Sequence, residues 1–323
     1  MSNVAQAGGA GRAGGAGRLW DYAPTYGALA ALVLLLAINS VFTPNFFDLN
    51  NFRNILLQVA PTVLVATGMT LVIATGGIDL SVGSVMAIAS AVAATQLDRG
   101  AGFAMLLALA VAAGAGAFNG ALISGFGIQP IIVTLALLIS GRGVAQVFSG
   151  GNLVPFSSPS FEYLGKGVVA GVPVQVIVMV LAVALAVFVM RATAFGRYVA
   201  SVGGNEAAAR LAGVKVHRTK IMVYALSGLL AGLAGLIDTA RLGASDAQKV
   251  GLNIELDAIA ATVVGGTPLT GGRATVLGTL VGALIMQVIT TGFVMNGISY
   301  SWSLVIKAAI IVVAVYIQRP RVA

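Results

Sequence analysis

Apolar runs of about twenty residues recur along this chain, and they restrict what it can fold into more than any other feature. A helix needs roughly 20 predominantly apolar residues to cross a bilayer. The chain is 58% hydrophobic and only 9% charged, whereas soluble proteins carry about 25% charged residues. We therefore predict an all-α fold, a polytopic transmembrane helical bundle. The predicted spans are 26–42, 54–75, 80–97, 101–123, 128–147, 171–190, 218–238, 273–294 and 299–317.

A tenth apolar run, at 252–268, is shorter and contains two carboxylates, Glu255 and Asp257. Such a segment is tolerated at membrane depth only where it packs against protein or lines water. It is therefore predicted to be a short or re-entrant helix, and counting it gives about ten spans.

Positive charge is unevenly distributed between the connections of this ten-span arrangement. With the N-terminus in the cytoplasm, the inner side holds eleven Lys and Arg and the outer side holds five. Cytoplasmic loops of membrane proteins carry such an excess. We therefore expect both termini, and the connection at 191–217, in the cytoplasm. The net charge of +8 then reflects topology, and no nucleic-acid partner is predicted. Arg142 and Lys307 fall within spans and are expected to snorkel or to pair inside the bundle.

The first residues, 1–20, are rich in Gly, Ala and Arg and hold few large apolar side chains. They are predicted to be a disordered cytoplasmic tail. Residues 21–323 are predicted to form a single transmembrane domain. Its first span is expected to be retained, because no clear small-residue cleavage site of a signal peptide follows it.

Motifs of common enzymes are absent from the sequence. The chain has no P-loop for phosphate binding, no GxSxG and no HExxH. It has no cysteine and one histidine, and its ten carboxylates are scattered. No catalytic residue, no metal site and no cofactor is therefore predicted, and the chain is not expected to be an enzyme. Movement of a solute or an ion across the bilayer is the function class that remains.

Asp79 is the most informative acidic residue, because an ionisable group within the membrane is costly and often functional. In ATGGIDLSVGS it follows two glycines and precedes an apolar run. One interpretation is an N-cap, in which the carboxylate accepts from free backbone N–H groups and meets the positive end of the helix dipole. The other is a glycine-broken helix that exposes the carboxylate to a polar cavity. Both interpretations stay open on sequence alone.

Four uncharged polar residues also fall within spans or at their ends. Such groups suit sugar hydroxyls, which need hydrogen-bond donors and acceptors rather than ions, or they bond between helices. Together with Asp79 they form the predicted substrate pathway. Acids and histidines are scarce within spans, which argues against a proton relay, but an ion-coupled secondary transporter of small polar solutes stays the alternative. The four residues are Asn119, Gln129, Thr134 and Gln287.

Glycine is frequent within the spans. Gly116 and Gly120 lie four residues apart on one predicted helix, which lets two helix backbones approach closely. GGIDLSVG and GGTPLTGG, at 76–83 and 265–272, each follow an apolar run and share a GGxxL pattern. This echo is compatible with duplicated halves, in which broken segments at matching positions line the pathway.

The polar stretch SVGGNEAAARLAGVKVHRTK, at 201–220, interrupts an otherwise apolar chain. Gly203 and Gly204 are predicted to form a turn. Asn205 is predicted to be the N-cap of a helix formed by AAARLA, and Gly213 is predicted to end it. The result is a short amphipathic helix at the cytoplasmic surface, flanked by basic residues. It rests on anionic headgroups or it docks a soluble partner that supplies energy.

Four sequence blocks, taken in order, are highly specific. They read GMTLVIATGGIDLSVGSVMAIAS at 68–90, VGGNEAAARLAGVKV at 202–216, YALSGLLAGLAG at 224–235 and ELDAIAATVVGGTPLTGG at 255–272. Together they resemble the permease subunits of bacterial ABC sugar importers, in the branch that takes up ribose, xylose, arabinose and galactofuranose. The likeness runs from about residue 25 to the C-terminus. It is greatest to the galactofuranose-type permease, through ATGGIDLSVG, GRGVAQ and LDAI.

The resemblance implies a multi-pass subunit of the bacterial inner membrane that works with partners. Two permeases, as two copies or as paralogues, would form the pathway for a pentose or a hexose furanose. ABC ATPase subunits would lie below and hydrolyse ATP, and a periplasmic sugar-binding protein would deliver the monosaccharide from above. In such families a Glu-Ala-Ala loop ending in glycine docks into the ATPase. The implied ATPase-coupling residues here are Gly204, Asn205, Glu206, Ala207, Ala208, Arg210, Leu211 and Gly213.

Overall fold

A computed structural model describes residues 23–318, and this part of the chain is predominantly helical. The predicted tail at 1–20, with Arg12 and Arg18, lies outside the described residues, as do Arg319 and Arg321. The described part contains thirteen α-helices. They are α1 (Ala23–Phe42), α2 (Leu49–Ala74), α3 (Val82–Gln96), α4 (Ala101–Phe126), α5 (Pro130–Phe148), α6 (Pro159–Lys166), α7 (Val174–Ala192), α8 (Ala194–Gly204), α9 (Glu206–Leu211), α10 (Val216–Leu242), α11 (Ile254–Val264), α12 (Val276–Met295) and α13 (Tyr300–Gln318).

Each predicted span coincides with one of these helices. Six of them, namely α2, α4, α5, α7, α10 and α12, are long and apolar enough to cross a membrane. The apolar parts of α1 and α13, Tyr26–Phe42 and Tyr300–Tyr316, are shorter. By length and composition the molecule is an all-α membrane bundle, as predicted, while the number of ten spans stays a prediction.

Two of the helices that coincide with predicted spans are too short to cross a bilayer on their own. α3 has 15 residues and α11 has 11, so at 1.5 Å per residue they reach about 22 and 16 Å, against a hydrocarbon core of about 30 Å. The short helix expected within 252–268 is confirmed. The helix within 80–97 is shorter than predicted because residues 75–81, just before it, are not helical.

The core lies where α2, α3 and α10 meet. α2 is buried from Val59 to Ala74 except at Thr62, and α3 is buried from Val82 to Ala94. A helix that is apolar on all sides is stable in a bundle when neighbours surround it. α4 instead buries one stripe of mostly small residues, most of them three or four positions apart along the helix.

Close contact between α4 and α10 depends on glycine. A Cβ atom at Gly116 would collide with the carbonyl oxygen of Tyr224, and one at Gly228 would collide with that of Ala112. The packing role predicted for glycines at this spacing is therefore confirmed.

The connection between α5 and α7 follows the fifth predicted span, so a cytoplasmic N-terminus predicts that it lies outside, and it contains short ordered elements. It contains α6 and the hairpin of β2 (Val168–Val169) and β3 (Val172–Pro173). It also contains β1 (Val154–Pro155), which pairs in antiparallel fashion with β4 (Ala244–Ser245). This second ladder fixes the segment between α10 and α11 against the rest of the bundle.

Candidate transport site and coupling surface

The chain between α2 and α3, residues 75–81, forms a first helix break. α2 ends at Ala74, and Gly76 adopts a positive φ of 79° that turns the chain away from the helix. Such a backbone conformation is easy only for glycine. The break leaves Asp79 in a non-helical segment inside the bundle.

Asp79 is 1% exposed and is the centre of a hydrogen-bond network. Its Oδ1 accepts from the backbone N–H of Ser81 at 3.0 Å and from the Ser81 hydroxyl at 2.6 Å. Its Oδ2 accepts from the Ser227 hydroxyl at 2.9 Å, and Asn119 Nδ2 donates to Ser81 Oγ at 3.0 Å. One carboxylate thus ties the first break to α4 and α10.

The capping interpretation of Asp79 needs correction. The N-cap of α3 is Ser81, and Asp79 lies two residues before it. Two buried polar atoms of this region, Asn119 Oδ1 and Tyr224 Oη, have no hydrogen-bond partner among the described residues. A buried polar atom without a partner costs about 1–3 kcal/mol, so a polar partner for either atom would stabilise this region.

Thr134 joins this network through the backbone of the break. Its hydroxyl is buried on α5, where it donates to the carbonyl oxygen of Pro130 at 2.9 Å and lies 3.3 Å from that of Ile78. Three of the five predicted pathway residues, Asp79, Asn119 and Thr134, therefore meet at the first break.

The other two predicted pathway residues lie elsewhere. Gln129 is exposed at the start of α5, where its side chain makes no capping hydrogen bond. Gln287 lies on α12, and its Nε2 donates to Gln58 Oε1 at 3.0 Å and to Thr291 Oγ1 at 3.2 Å. No sequence spacing links either glutamine to Asp79, which is why their separation could not be predicted.

Residues 265–275, between α11 and α12, form a second helix break. Gly271 and Gly272 have positive φ angles of 84° and 83°. The hydroxyls of Thr267 and Thr275 are 2.7 Å apart, and the N–H of Thr275 donates to Thr267 Oγ1 at 3.0 Å. Hydrogen bonds between hydroxyl and backbone groups therefore stabilise the second break, whereas a carboxylate stabilises the first.

The two breaks touch each other and the end of α8. The N–H of Gly272 donates to the carbonyl oxygen of Ala74 at 3.0 Å. A Cβ at Gly203 would collide with that same oxygen and would lie 2.5 Å from the nitrogen of Gly272. A Cβ at Gly271 would lie 2.8 Å from the nitrogen of Gly76. Three backbones meet here because these residues lack side chains. We call this point the glycine joint (Gly76, Gly203, Gly271 and Gly272).

The turn predicted at Gly203 and Gly204 is wrong, because both residues belong to the last turn of α8. The absence of a side chain at Gly203 serves close packing in the joint and not a turn. Gly204 differs, since nothing lies within 4 Å of a Cβ placed there.

α9 forms the predicted short helix at 206–211. Asn205 Oδ1 accepts from the backbone N–H of Ala208 at 2.9 Å, which confirms the predicted N-cap. Gly213, with φ of 81°, follows the helix end, also as predicted. Only Ala209 is buried on this helix, where it packs in a small apolar cluster with Val202.

The opposite face of α9 is open. Leu211 is 91% exposed, and Ala207, Ala208 and Arg210 are exposed beside it. An apolar centre with a polar rim is the usual arrangement of a protein interface. The exposed basic residues of the same connection and of the start of α10 are Arg191, Arg197, Lys215, His217 and Arg218.

Glu206 fastens α9 to α10. Its Oε2 accepts from Lys220 Nζ at 2.6 Å, and its Oε1 accepts from Arg210 at 3.2 Å. The hydrogen bond from Lys220 is the main reason that the pKa of Glu206 lies below its ordinary value, while partial burial opposes the shift. This ion pair links α9 to the first turns of α10.

The two basic residues within the spans, Arg142 and Lys307, have polar partners inside the bundle, as expected. Arg142 donates to the carbonyl oxygens of Ala247 and Val250 at 2.9 and 2.6 Å, which holds the segment before α11. Lys307 pairs with Asp257 at 3.0 Å. No group of three His, Asp or Glu side chains suited to a metal ion occurs within residues 23–318.

Sequence reasoning missed two partners of Asp79. Ser81 lies two residues away and could have been found from local spacing. Ser227 lies 148 residues away, and the available signal was one hydroxyl inside the apolar block YALSGLLAGLAG.

Comparison with known proteins identifies the family. The family model described as "branched-chain amino acid transport system / permease component" matches residues 51–315. The chain belongs to this permease family. No solved structure matches it.

Several similar curated proteins are sugar permeases by name. The ribose import permease protein RbsC of Escherichia coli is 42% identical over 300 residues, which cover 91% of this permease and 93% of that protein. The galactofuranose transporter permease protein YtfT of Escherichia coli is also 42% identical, over 91% of this permease and 89% of that protein. The fructose import permease protein FruF of Bifidobacterium longum is 36% identical, over 91% and 87%.

These relatives confirm the resemblance to permeases of ABC sugar importers. The sequence identity of this chain is 42% to both the ribose and the galactofuranose permease, so it does not show which of the two types this chain is more similar to.

Proposed function

We propose that this permease is the membrane subunit of an ATP-driven importer that moves a monosaccharide, a pentose or a hexose furanose, into a bacterial cell. Likeness over 91% of the chain to permeases named for ribose and galactofuranose carries this proposal. The permease lies in the inner membrane, with about ten spans within residues 21–323 and both termini in the cytoplasm. The excess of Lys and Arg in the predicted inner connections supports this orientation.

Its partners are a second permease copy or a paralogue, separate ATPase subunits and a periplasmic sugar-binding protein. The ATPase subunits hydrolyse ATP and bind the permease at α9 and its flanking residues, 204–213. The exposed Leu211 and its basic surroundings support a protein partner at this helix. α9 has six residues and one large exposed apolar side chain, which is little apolar area with which to hold a lipid surface.

Motion passes from this helix to the bundle through two contacts. The ion pair of Glu206 with Lys220 links α9 to α10, and α8 ends in the glycine joint, against both helix breaks. Closure of the ATPase subunits would displace α8 and α9 together. Sugar and ATP would then each favour a different arrangement of the breaks, which is the requirement for a transport cycle.

Leu211→Glu tests the docking surface. A carboxylate in place of the exposed leucine removes the apolar centre of the surface, so we expect association with the ATPase subunits to weaken at least tenfold, as for loss of a central interface side chain. Association is measured by co-purification and by titration of the ATPase subunits in detergent. The permease itself should insert and remain folded, because Leu211 contacts little of the bundle.

Leu153→Glu is the matched control. Leu153 is 58% exposed in the connection predicted to lie outside, so its substitution should leave ATPase association unchanged. Equal association of both variants would contradict docking at α9.

A further inference from the structure

Two glutamines meet on a face of the bundle that other helices leave open. Gln58 is exposed on α2, and Gln287 is half-buried on α12. Gln287 Nε2 donates to Gln58 Oε1 at 3.0 Å and to Thr291 Oγ1 at 3.2 Å. We call these two residues the glutamine pair.

The glutamine pair lies at membrane depth. Gln287 is eight residues from the end of α12 and eleven from its start, or about 12 and 16 Å from the two ends at 1.5 Å per residue. α12 is one of the helices long and apolar enough to span a bilayer. Gln58 lies nine residues into α2, which is another.

The hydrogen-bonding capacity of the pair is only partly used. Each amide has two N–H donors and a carbonyl acceptor. The described part of the chain offers no further partner to Gln58 Nε2 or to Gln287 Oε1. Lipid tails form no hydrogen bonds, so a half-satisfied amide facing them is unfavourable. This face is therefore more stable in contact with water or a polar ligand than in contact with lipid.

Polar exposure continues from the pair towards the centre of the bundle. Thr62 lies one turn deeper than Gln58 on α2, and it is the one position between Val59 and Ala74 that is not fully buried.

The charged side chains next to the glutamine pair neutralise each other. Arg241 Nη1 donates to the carbonyl oxygen of Leu57 at 3.4 Å and its Nη2 pairs with Asp238 at 2.9 Å. A neutral, hydroxyl-rich ligand fits such a surface.

We propose that the glutamine pair binds hydroxyl groups of the monosaccharide as it passes through the permease. The pair lines a water-filled part of the pathway, and the free amide groups of Gln58 and Gln287 exchange water for sugar hydroxyls. This inference rests on the proposed function, and it adds Gln58 to the residues that contact the substrate.

Chemical labelling tests whether water reaches the pair. The chain has no cysteine, so Gln58→Cys and Gln287→Cys each introduce a single thiol. In the complete transporter, with its ATPase subunits and binding protein, we expect both thiols to react with a hydrophilic maleimide. Leu181→Cys is the control, because Leu181 is 63% exposed on the apolar surface of α7 and a thiol in lipid should react at least tenfold more slowly. Reaction at Gln58→Cys as slow as at Leu181→Cys would overturn the proposal.

Transport tests whether the pair binds sugar. Ribose, galactose and fructose are offered to the reconstituted transporter at limiting concentration. For the sugar that the wild type takes up, Gln58→Leu with Gln287→Leu should reduce uptake about tenfold, because each lost hydrogen bond contributes a factor of a few. Gln146→Leu, which changes a half-buried glutamine on α5, should leave uptake unchanged.

The outcomes separate this inference from the proposed function. Uptake of none of these sugars by the wild type, with ATP and all subunits present, would count against the proposed function and remove the basis of the inference. Normal uptake by the double variant beside an active wild type would overturn the inference alone. Loss of permease–permease association in the double variant would also overturn it, by showing that the pair holds two copies of the chain together and that the fall in uptake does not come from lost contacts with sugar.

Discussion

The two helix breaks share a glycine pattern but differ in what holds them in place. In GGIDLSVG the fourth residue is Asp79, which is buried and binds both Ser81 and Ser227. In GGTPLTGG the fourth residue is Pro268, which is half-buried, and Thr270 is exposed where Ser81 is buried. The glycines specify that a helix stops, while the residues between them decide whether the break belongs to the core or to the surface. We infer that the first break is the fixed element and the second the adjustable one.

The largest expected effect is at Asp79, the carboxyl group that holds the first break. Asp79→Ala leaves the hydroxyls of Ser81 and Ser227 without their acceptor inside the core, so we expect a loss of about 2–3 kcal/mol in the free energy of unfolding. Thermal unfolding of the purified permease in detergent measures it. Thr270→Ala, at the matching position of the second break, should change the unfolding temperature little. Equal effects of the two substitutions would remove the distinction between the breaks.

The next effect concerns the joint where both breaks meet. Gly203→Ala forces a methyl group against the carbonyl oxygen of Ala74 and the nitrogen of Gly272, which should cost about 1–3 kcal/mol by overpacking. We expect sugar uptake to fall at least tenfold while the ATPase subunits still co-purify.

Gly204→Ala is the neighbouring control for the joint. Open space surrounds the Cβ position of Gly204, and alanine favours a helix over glycine by about 1 kcal/mol, so stability should be unchanged or slightly higher. Full uptake by Gly203→Ala would show that the joint does not transmit motion.

The second break should respond more weakly to loss of a hydroxyl. Thr275→Val keeps the side-chain shape but removes the 2.7 Å contact with Thr267 and a hydrogen bond to Gly265 at 3.0 Å. We expect about 1 kcal/mol of destabilisation and a changed rate of uptake. Thr290→Val, which removes only a hydrogen bond within α12, is the control. A change in stability as large as that of Asp79→Ala would contradict the account of the second break.

The smallest expected effect is at Glu206, whose carboxylate is partly exposed, whereas that of Asp79 is buried. The pKa of Glu206 is lowered by Lys220 from an ordinary value of 4.5, so its ion pairs stabilise the fold fully above that value. This contribution is lost as the pH falls through the lowered pKa. A surface pair of this kind contributes under about 1 kcal/mol.

Glu206→Gln provides the measurement. The difference in unfolding temperature between wild type and variant should be constant from about pH 6 to 8 and should vanish in acid below the lowered pKa. It should also shrink in high salt, which screens exposed charges. A difference that persists at low pH would mean that Glu206 acts by packing and not by charge.

Local features could be predicted from the sequence, and distant contacts could not. The helix positions follow from apolar runs, and the ends of α9 follow from Asn205 and Gly213, whose capping roles depend on adjacent backbone. Gly203 was misread because its importance comes from Ala74 and Gly272, which approach it only in the folded bundle. Gln58 and Gln287 are 229 residues apart, and nothing in either local sequence indicates the other.

Uptake by purified components in vesicles tests the central claim, that this permease moves sugar only when an ATPase moves it. The account predicts accumulation of ribose or a related monosaccharide when permease, ATPase subunits, binding protein and ATP are all present, and none with the permease alone. Uphill uptake by the permease alone, driven by a proton or sodium gradient and abolished when that gradient is collapsed, would contradict it.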